Sequence, residues 1–244
     1  MKNLTTLDYW TNVHGTPDLI LDNEIIEKWI KNNLSEEEIN TSIEIGCYPG
    51  KYLTILGGKG VEVNGIDYIP NVVVLDKLFR EKGFKVGEFI NADFTQFKFK
   101  KKYDCVMSFG FIEHFLNWDE MILKHLDLVS EKGFVIIEVP NFKGFFQRFP
   151  RMIYDWENYK RHNISSMNLE KWERILIENN FELINSSYFG GYHIWFEKTL
   201  NNKYALKSRG YFLRLLNKMR KKIFPYVENH KSYSCFIGII ARKI

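Results

Sequence analysis

The chain has 244 residues, a hydrophobic fraction of 45% and a formal net charge of +4. That length suits one α/β domain with insertions, the apolar share suits a buried core, and so small a charge gives no ground by itself for a nucleic-acid partner. Cys47, Cys105 and Cys235 are odd in number and scattered, which argues against a disulfide framework or a zinc site and fits a reducing cytoplasm, and no apolar run marks a signal peptide or a membrane span.

Ile25, Ile26, Trp29 and Ile30 recur at helical spacing beside Glu24, Glu27 and Lys28, predicting a helix over 23–33 within an N-terminal helical cap, 1–40. From Thr41 onward short apolar runs alternate with helical patterns. Strands are expected at 42–45, 61–66, 85–91, 103–108 and 133–139, and helices at 51–56, 71–81 and 118–129. Such alternation predicts an α/β fold, a largely parallel sheet with helices on both faces. Continuous apolar runs such as 134–137 suit strands buried on both sides.

After Pro140 the order loosens. Residues 141–166 are aromatic and basic without a traceable period. A helix at 169–180, a strand at 181–188 and a very apolar strand at 234–241 complete a single domain spanning 1–244. Between the last two strands lies a basic insertion, about 197–228. Within it, residues 203–222 hold eight Lys and Arg and no acidic residue.

The first strand runs into Glu44-Ile45-Gly46-Cys47-Tyr48-Pro49-Gly50. A strand, a tight glycine turn and a helix make a general site for a nucleotide-like ligand, because glycine admits the ligand to the backbone and the helix start offers N–H groups. The G-x-G-x-x-G spacing that seats a pyrophosphate fails here, with Tyr48 and Lys51 at the second and third positions. The spacing acidic-x-Gly-x-x-x-Gly is met by Glu44, Gly46 and Gly50. A carboxylate beside the turn would repel a pyrophosphate and suit a cofactor with a cationic amino-acid end. The second strand ends at Asp67, placed to accept hydrogen bonds from two ribose hydroxyls, with Tyr68 or Ile69 against one face of an adenine. The third ends at Asp93, an acceptor for an adenine amino group, followed by Phe94 for the other face.

These residues, with 103–108, Phe111-Ile112-Glu113-His114-Phe115 and Gly133 to Asn141, resemble the class I S-adenosylmethionine-dependent methyltransferases. The resemblance runs from about Asp8 to Asn141 and more loosely through the last two strands. It implies a Rossmann-like, doubly wound, seven-stranded, mostly parallel sheet whose last strand is antiparallel. It also implies S-adenosylmethionine as cofactor, with S-adenosylhomocysteine as product. Backbone near Ser108-Phe109-Gly110 would meet the methionine end, with Trp10 and His14 over the cofactor. Tyr48 departs from the middle glycine of many members.

Methyl transfer from a sulfonium needs alignment and, for a hydroxyl acceptor, a base. His114, just after the fourth strand, is the foremost candidate, since imidazole titrates near neutrality. His162, His193 and Tyr192 rank behind it. No Asn/Asp-Pro-Pro-Tyr/Phe run follows the fourth strand and no acidic cluster suggests a magnesium site. The expectation is a metal-independent O-methyltransferase acting on a small molecule or glycan, by resemblance to bacterial secondary-metabolism and surface-glycan enzymes. An RNA-binding methyltransferase and a catalytically silent partner subunit are the alternatives. Phe212, Leu216, Met219 and Ile223 follow helical spacing opposite the charges of 203–222, which admits a peripheral contact with the inner membrane surface; a nucleic-acid partner ranks behind it.

Overall fold

The computed structural model describes residues 3–14, 16–17, 19, 24–34, 39–197, 203–223 and 229–244. In chain order its elements are α1 (Leu7–His14), α2 (Glu24–Asn33), β1 (Thr41–Ile45), α3 (Leu53–Gly57), β2 (Glu62–Asp67), α4 (Val74–Glu81), β3 (Val86–Asn91) and β4 (Tyr103–Phe109). There follow α5 (Trp118–Asp127), β5 (Val129–Pro140), α6 (Phe145–Tyr154), α7 (Trp156–Lys160), α8 (Leu169–Glu178), β6 (Phe181–Phe189), α9 (Lys203–Ile223) and β7 (Phe236–Lys243).

Seven strands pair in the order β3-β2-β1-β4-β5-β7-β6. Neighbouring pairs among the first five strands are parallel, and β7 runs antiparallel to both β5 and β6. The expected architecture is therefore the observed one, including the reversed last strand. Side chains alternate between the two faces, as strand geometry requires. Val106, Val135, Ile137 and Ile239 join one core cluster with Met121 and Trp172. Cys105, Met107, Ile136 and Ile240 join the other with Ile26, Leu53 and Phe79. A strand covered on both faces must be apolar at every position, which is why 134–137 shows no alternation in sequence.

One carboxylate gathers three strand starts. Asp104 Oδ2 accepts from the backbone N–H of Asn40 and Thr41, both at 3.0 Å, and Oδ1 accepts from the Ser130 hydroxyl at 3.0 Å. At the other side of the core, Asn168 caps α8 by accepting from the Lys171 N–H. This fixes the helix carrying Trp172, whose indole N–H donates to the Ser166 carbonyl at 2.6 Å.

Boundaries differ from expectation where pairing or caps decide them. The expected helix at 71–81 begins as a 3-10 turn, Pro70–Val73, because proline fixes the first turn. β5 starts four residues early, since Val129 pairs with Tyr103. β7 runs on to Lys243, which pairs with Phe181. The segment without a period holds α6 and α7. The basic insertion holds α9, where Phe212 turns inward onto Tyr154, ring centroids 5.3 Å apart; the side chains of Met219 and Ile223 lie outside the described residues. No described helix is long and apolar enough to cross a membrane. All three cysteines are buried, and none forms a disulfide among the described residues.

Candidate active site

In an open α/β sheet the chain leaves neighbouring strands in opposite directions at one point, and a crevice forms there beyond the strands' carboxyl ends. Here that point lies between β1 and β4. A cavity of about 840 Å³ occupies it, lined by the tips of β1, β2 and β4 and by the loops after them. Glu44, Gly46, Tyr48, Gly50, Asp67, Tyr68, Asp93, Phe94 and Phe109 all lie on its wall, and so do His114, His162, His193 and Trp10.

The glycine turn is built for close approach. Gly46 and Gly50 take φ of 72° and 108°, a region L side chains avoid. A Cβ at Gly46 would stand 2.7 Å from the Phe111 ring. Tyr48, at the departure from the glycine pattern, keeps its ring with the buried cluster around α3 and α4, and its hydroxyl hydrogen-bonds with Asn71. Its backbone N–H donates to Asp67 Oδ2 at 3.1 Å, while Ile69 N–H donates to Oδ1 at 3.0 Å. Burial nevertheless pushes the Asp67 carboxyl up to about 6, against the pull of these donors.

At the tip of β3, Asp93 accepts from the Thr95 N–H at 2.8 Å and from the Gln96 amide at 3.3 Å. It holds its own turn while facing the cavity. Phe94 is buried, edge-on to Phe111 at 5.7 Å and to His125 at 5.2 Å. Phe109 packs on Tyr52 at 4.4 Å.

The far half of the cavity collects a carboxyl and two imidazoles. His114 Nδ1 donates to the Arg161 carbonyl at 3.0 Å, and His162 Nδ1 donates to the Asn158 carbonyl at 2.8 Å. A carbonyl only accepts, so each ring carries its proton on Nδ1 and Nε2 is the basic nitrogen. His114 Nε2 lies 3.8 Å from Glu113 Oε1. Burial, and then the neighbouring His114, hold His162 well below the usual imidazole range. Both Glu113 oxygens are buried without a hydrogen-bond partner among the described residues, and burial pushes the carboxyl up to about 8. Ligand atoms of Glu113, His114 and His162 lie within 4.8 Å of one another, a grouping of metal-ligand type.

The N-terminal segment closes over this half. Leu4 N–H donates to the His114 carbonyl at 2.8 Å, and the Trp10 ring stands edge-on to His114 at 4.9 Å. Tyr9 hydrogen-bonds to Glu197, which also pairs with Arg161. Trp10 thus lines the cavity beside His114; the side chain of His14 lies outside the described residues. Tyr192 is the one ranked candidate off the cavity, packing toward Phe146 at 6.3 Å. Sequence reasoning passed over Phe111 and Glu113 as site residues. Their signal was the run Phe111 to Phe115 after the fourth strand, which says nothing of which way either side chain turns.

The chemistry of the wall tests which ligand fits. Glu44, Glu113 and Glu138 each bury a carboxyl oxygen with no partner among the described residues, and burial raises all three above the ordinary range, Glu44 with added repulsion from Asp67. Among the described lining residues Lys51 is the one lysine or arginine. Such a wall suits a cationic ligand carrying hydroxyls, not a polyphosphate. S-adenosylmethionine, with its sulfonium and ammonium groups, meets that description.

A family profile described as "Methyltransferase domain" matches residues 21–186. The chain is 30% identical over 120 residues to the ubiquinone biosynthesis O-methyltransferase of Rickettsia canadensis (strain McKiel), covering 48% of this chain and 49% of that one. The chain spans about half the length of the curated relatives it matches. Among solved structures it is similar to the plantazolicin methyltransferase BpumL in complex with a triazolic desmethylPZN analog and SAH, with a TM-score of 0.56 and 16% identity over 97% of this chain and 88% of that one. The magnesium protoporphyrin IX methyltransferase ChlM from Synechocystis PCC 6803 with bound SAM gives 0.52 and 15%, over 99% and 93%. At such identities the likeness is one of fold.

Proposed function

The chain belongs to this methyltransferase-domain family, and on that premise we propose that it transfers a methyl group from S-adenosylmethionine to a hydroxyl of a small molecule or glycan without a metal ion. The observation that carries the reading is the set of strand-end carboxyls, Glu44, Asp67 and Asp93, on one cavity wall shared with the buried carboxyls of Glu113 and Glu138. Asp67 is the residue to receive the ribose hydroxyls. Its two oxygens offer about four acceptor sites, of which two are taken by Tyr48 and Ile69 N–H. Phe94, Ile69 and Tyr68 border the adenine position beside Asp93, and Glu44, Tyr48, Gly46, Gly50 and Phe109 the remainder of the cofactor.

When bound, S-adenosylmethionine supplies an electrophilic methyl group on a positively charged sulfur. The residues here do the rest. The acceptor lies against His114 and His162, and His114 Nε2 takes the hydroxyl proton as the oxygen gains the methyl group. Its Nδ1–H bond to Arg161 holds the ring in the required tautomer. Glu113, neutral below about pH 8, adds no negative charge to the cluster. Trp10 and the N-terminal segment keep water from the reacting groups.

The hydroxyl acceptor draws support from the ubiquinone O-methyltransferases among the relatives. The basic face of α9 supports contact with a membrane surface, where a lipid-linked acceptor would be met. Isothermal titration with S-adenosylmethionine, followed by a homocysteine-product assay over sugar, phenol and lipid-linked acceptors, tests the reading. Absence of cofactor binding would remove it.

A further inference from the structure

We propose that the outer face of α6 and the start of α7 docks on an anionic lipid bilayer. This carries further the reading that α9 meets a membrane, and names the element that enters it.

α6 is amphipathic the wrong way round. Its inward side carries two polar residues, Gln147 and Arg151, both fully buried, beside Pro150. The Gln147 amide donates to the carbonyls of His193 and Tyr233, at 2.9 and 2.8 Å. Arg151 donates to the Trp195 carbonyl at 2.8 Å, pairs with Asp155 at 3.3 Å, and lies 3.7 Å from the centroid of the Phe142 ring. These bonds fix the helix's rotation. The outward side is then apolar, with Phe145 67%, Phe149 58% and Ile153 56% exposed, flanked by Phe146, Met152 and Trp156. A contiguous exposed patch of this size and aromatic content marks an interaction surface.

Charge selects the occupant. α6 contains no acidic residue, and Lys143, Arg148 and Lys160 border its exposed face. Glu157, the exposed acid of α7, is paired with Lys160 at 2.9 Å. α9 packs against α6 through Phe212 on Tyr154, and its Lys207, Arg214 and Lys218 are exposed. Phenyl and indole rings beside Lys143 and Arg148, on a helix without an acid, complement acyl chains beneath anionic headgroups. A second copy of the chain would set the same positive rims against each other. Phe142 precedes the docking segment, Asn158 and His162 follow its core, and all three line the cavity. Docking would therefore bring the acceptor half of the site next to the membrane.

The test is co-sedimentation of the full chain with sucrose-loaded vesicles of phosphatidylcholine, with and without phosphatidylglycerol. The expected result is binding to the anionic vesicles, reduced about tenfold or more in Phe145→Ser/Phe149→Ser/Ile153→Ser. Titrated affinity for S-adenosylmethionine stays as in the parent, since none of the three residues lines the cavity. Should the triple variant fail to fold, Phe145→Ser and Phe149→Ser singly carry the same comparison. Undiminished sedimentation of these variants overturns the inference, and so does absence of binding by the parent chain. If Arg214→Gln/Lys218→Gln abolishes binding while the α6 variants keep it, the α9 reading stands and this one falls. A dimer in vesicle-free buffer that the triple variant converts to monomer assigns the face to a second copy, and also overturns it.

Discussion

The Tyr48 backbone N–H donates to Asp67 Oδ2 across 3.1 Å, so the glycine turn after β1 and the tip of β2 form one hydrogen-bonded unit. The carboxylate proposed to receive the ribose thereby also holds the loop that faces the methionine end. Asp67→Asn keeps the shape and one acceptor oxygen but loses the charge. Hydrogen bonds to charged groups are worth about 1.5–3 kcal/mol, so titration is expected to show affinity for S-adenosylmethionine falling by about 10- to 100-fold. Parent-like affinity would remove Asp67 from the ribose role.

Glu113 sets a pH dependence. Its folded value of about 8 lies above the ordinary glutamate value of about 4.3. The folded state therefore binds the proton more tightly than the unfolded chain does. The associated stability is complete at or below about pH 4 and is lost as pH rises through about 8. The ligand-free protein should show a Tm that declines between pH 5 and 8, by thermal denaturation, and Glu113→Gln should flatten that decline. A cationic ligand prefers the ionised carboxyl. Affinity for S-adenosylmethionine should therefore rise with pH over this window relative to S-adenosylhomocysteine, whose sulfur is neutral. Parallel pH profiles for the two ligands would contradict that placement of charge.

His114 and His162 separate in kinetics. His114→Ala is expected to lower kcat by about 10²- to 10⁴-fold while leaving the dissociation constant for S-adenosylmethionine within a few-fold. His162→Ala should act mainly through KM of the acceptor. Dialysis against a chelator should leave the rate unchanged. A rate abolished by chelation and restored by a divalent cation would instead make Glu113, His114 and His162 metal ligands.

Trp172 tests the core away from the site. It is fully buried and its indole N–H is bonded to Ser166. Trp172→Ala should cost about 3–5 kcal/mol in chemical denaturation, the usual range for large-to-small aromatic truncation. Its effect on cofactor affinity under conditions where the variant remains folded should be small.

Local chemistry explains what could be read in advance. Glu44, Gly46, Gly50, Asp67 and Asp93 are legible because strand tips place residues by rise and turn alone, and a parallel sheet aligns successive tips. The reversed last strand was legible only through resemblance, since antiparallel pairing of β7 with β5 and β6 leaves no mark in its apolar run. The segment after Pro140 resisted reading for a physical reason. α6 buries Gln147 and Arg151 and exposes Phe145 and Phe149, so the usual inference from apolar to inward fails there. Glu113 facing the cavity depends on a 3-10 turn, Ile112–His114, whose side-chain directions are set by tertiary contacts.

Asp104 carries a lesson for redesign. Its two oxygens staple Asn40, Thr41 and Ser130 at the sheet end opposite the cavity. The scaffold's fixed anchorage and its variable chemistry thus occupy opposite poles of the strands. Loops after β5 and β6 can be exchanged to recruit new acceptors, provided the residues at 40, 41, 104 and 130 are inherited together as one indivisible unit.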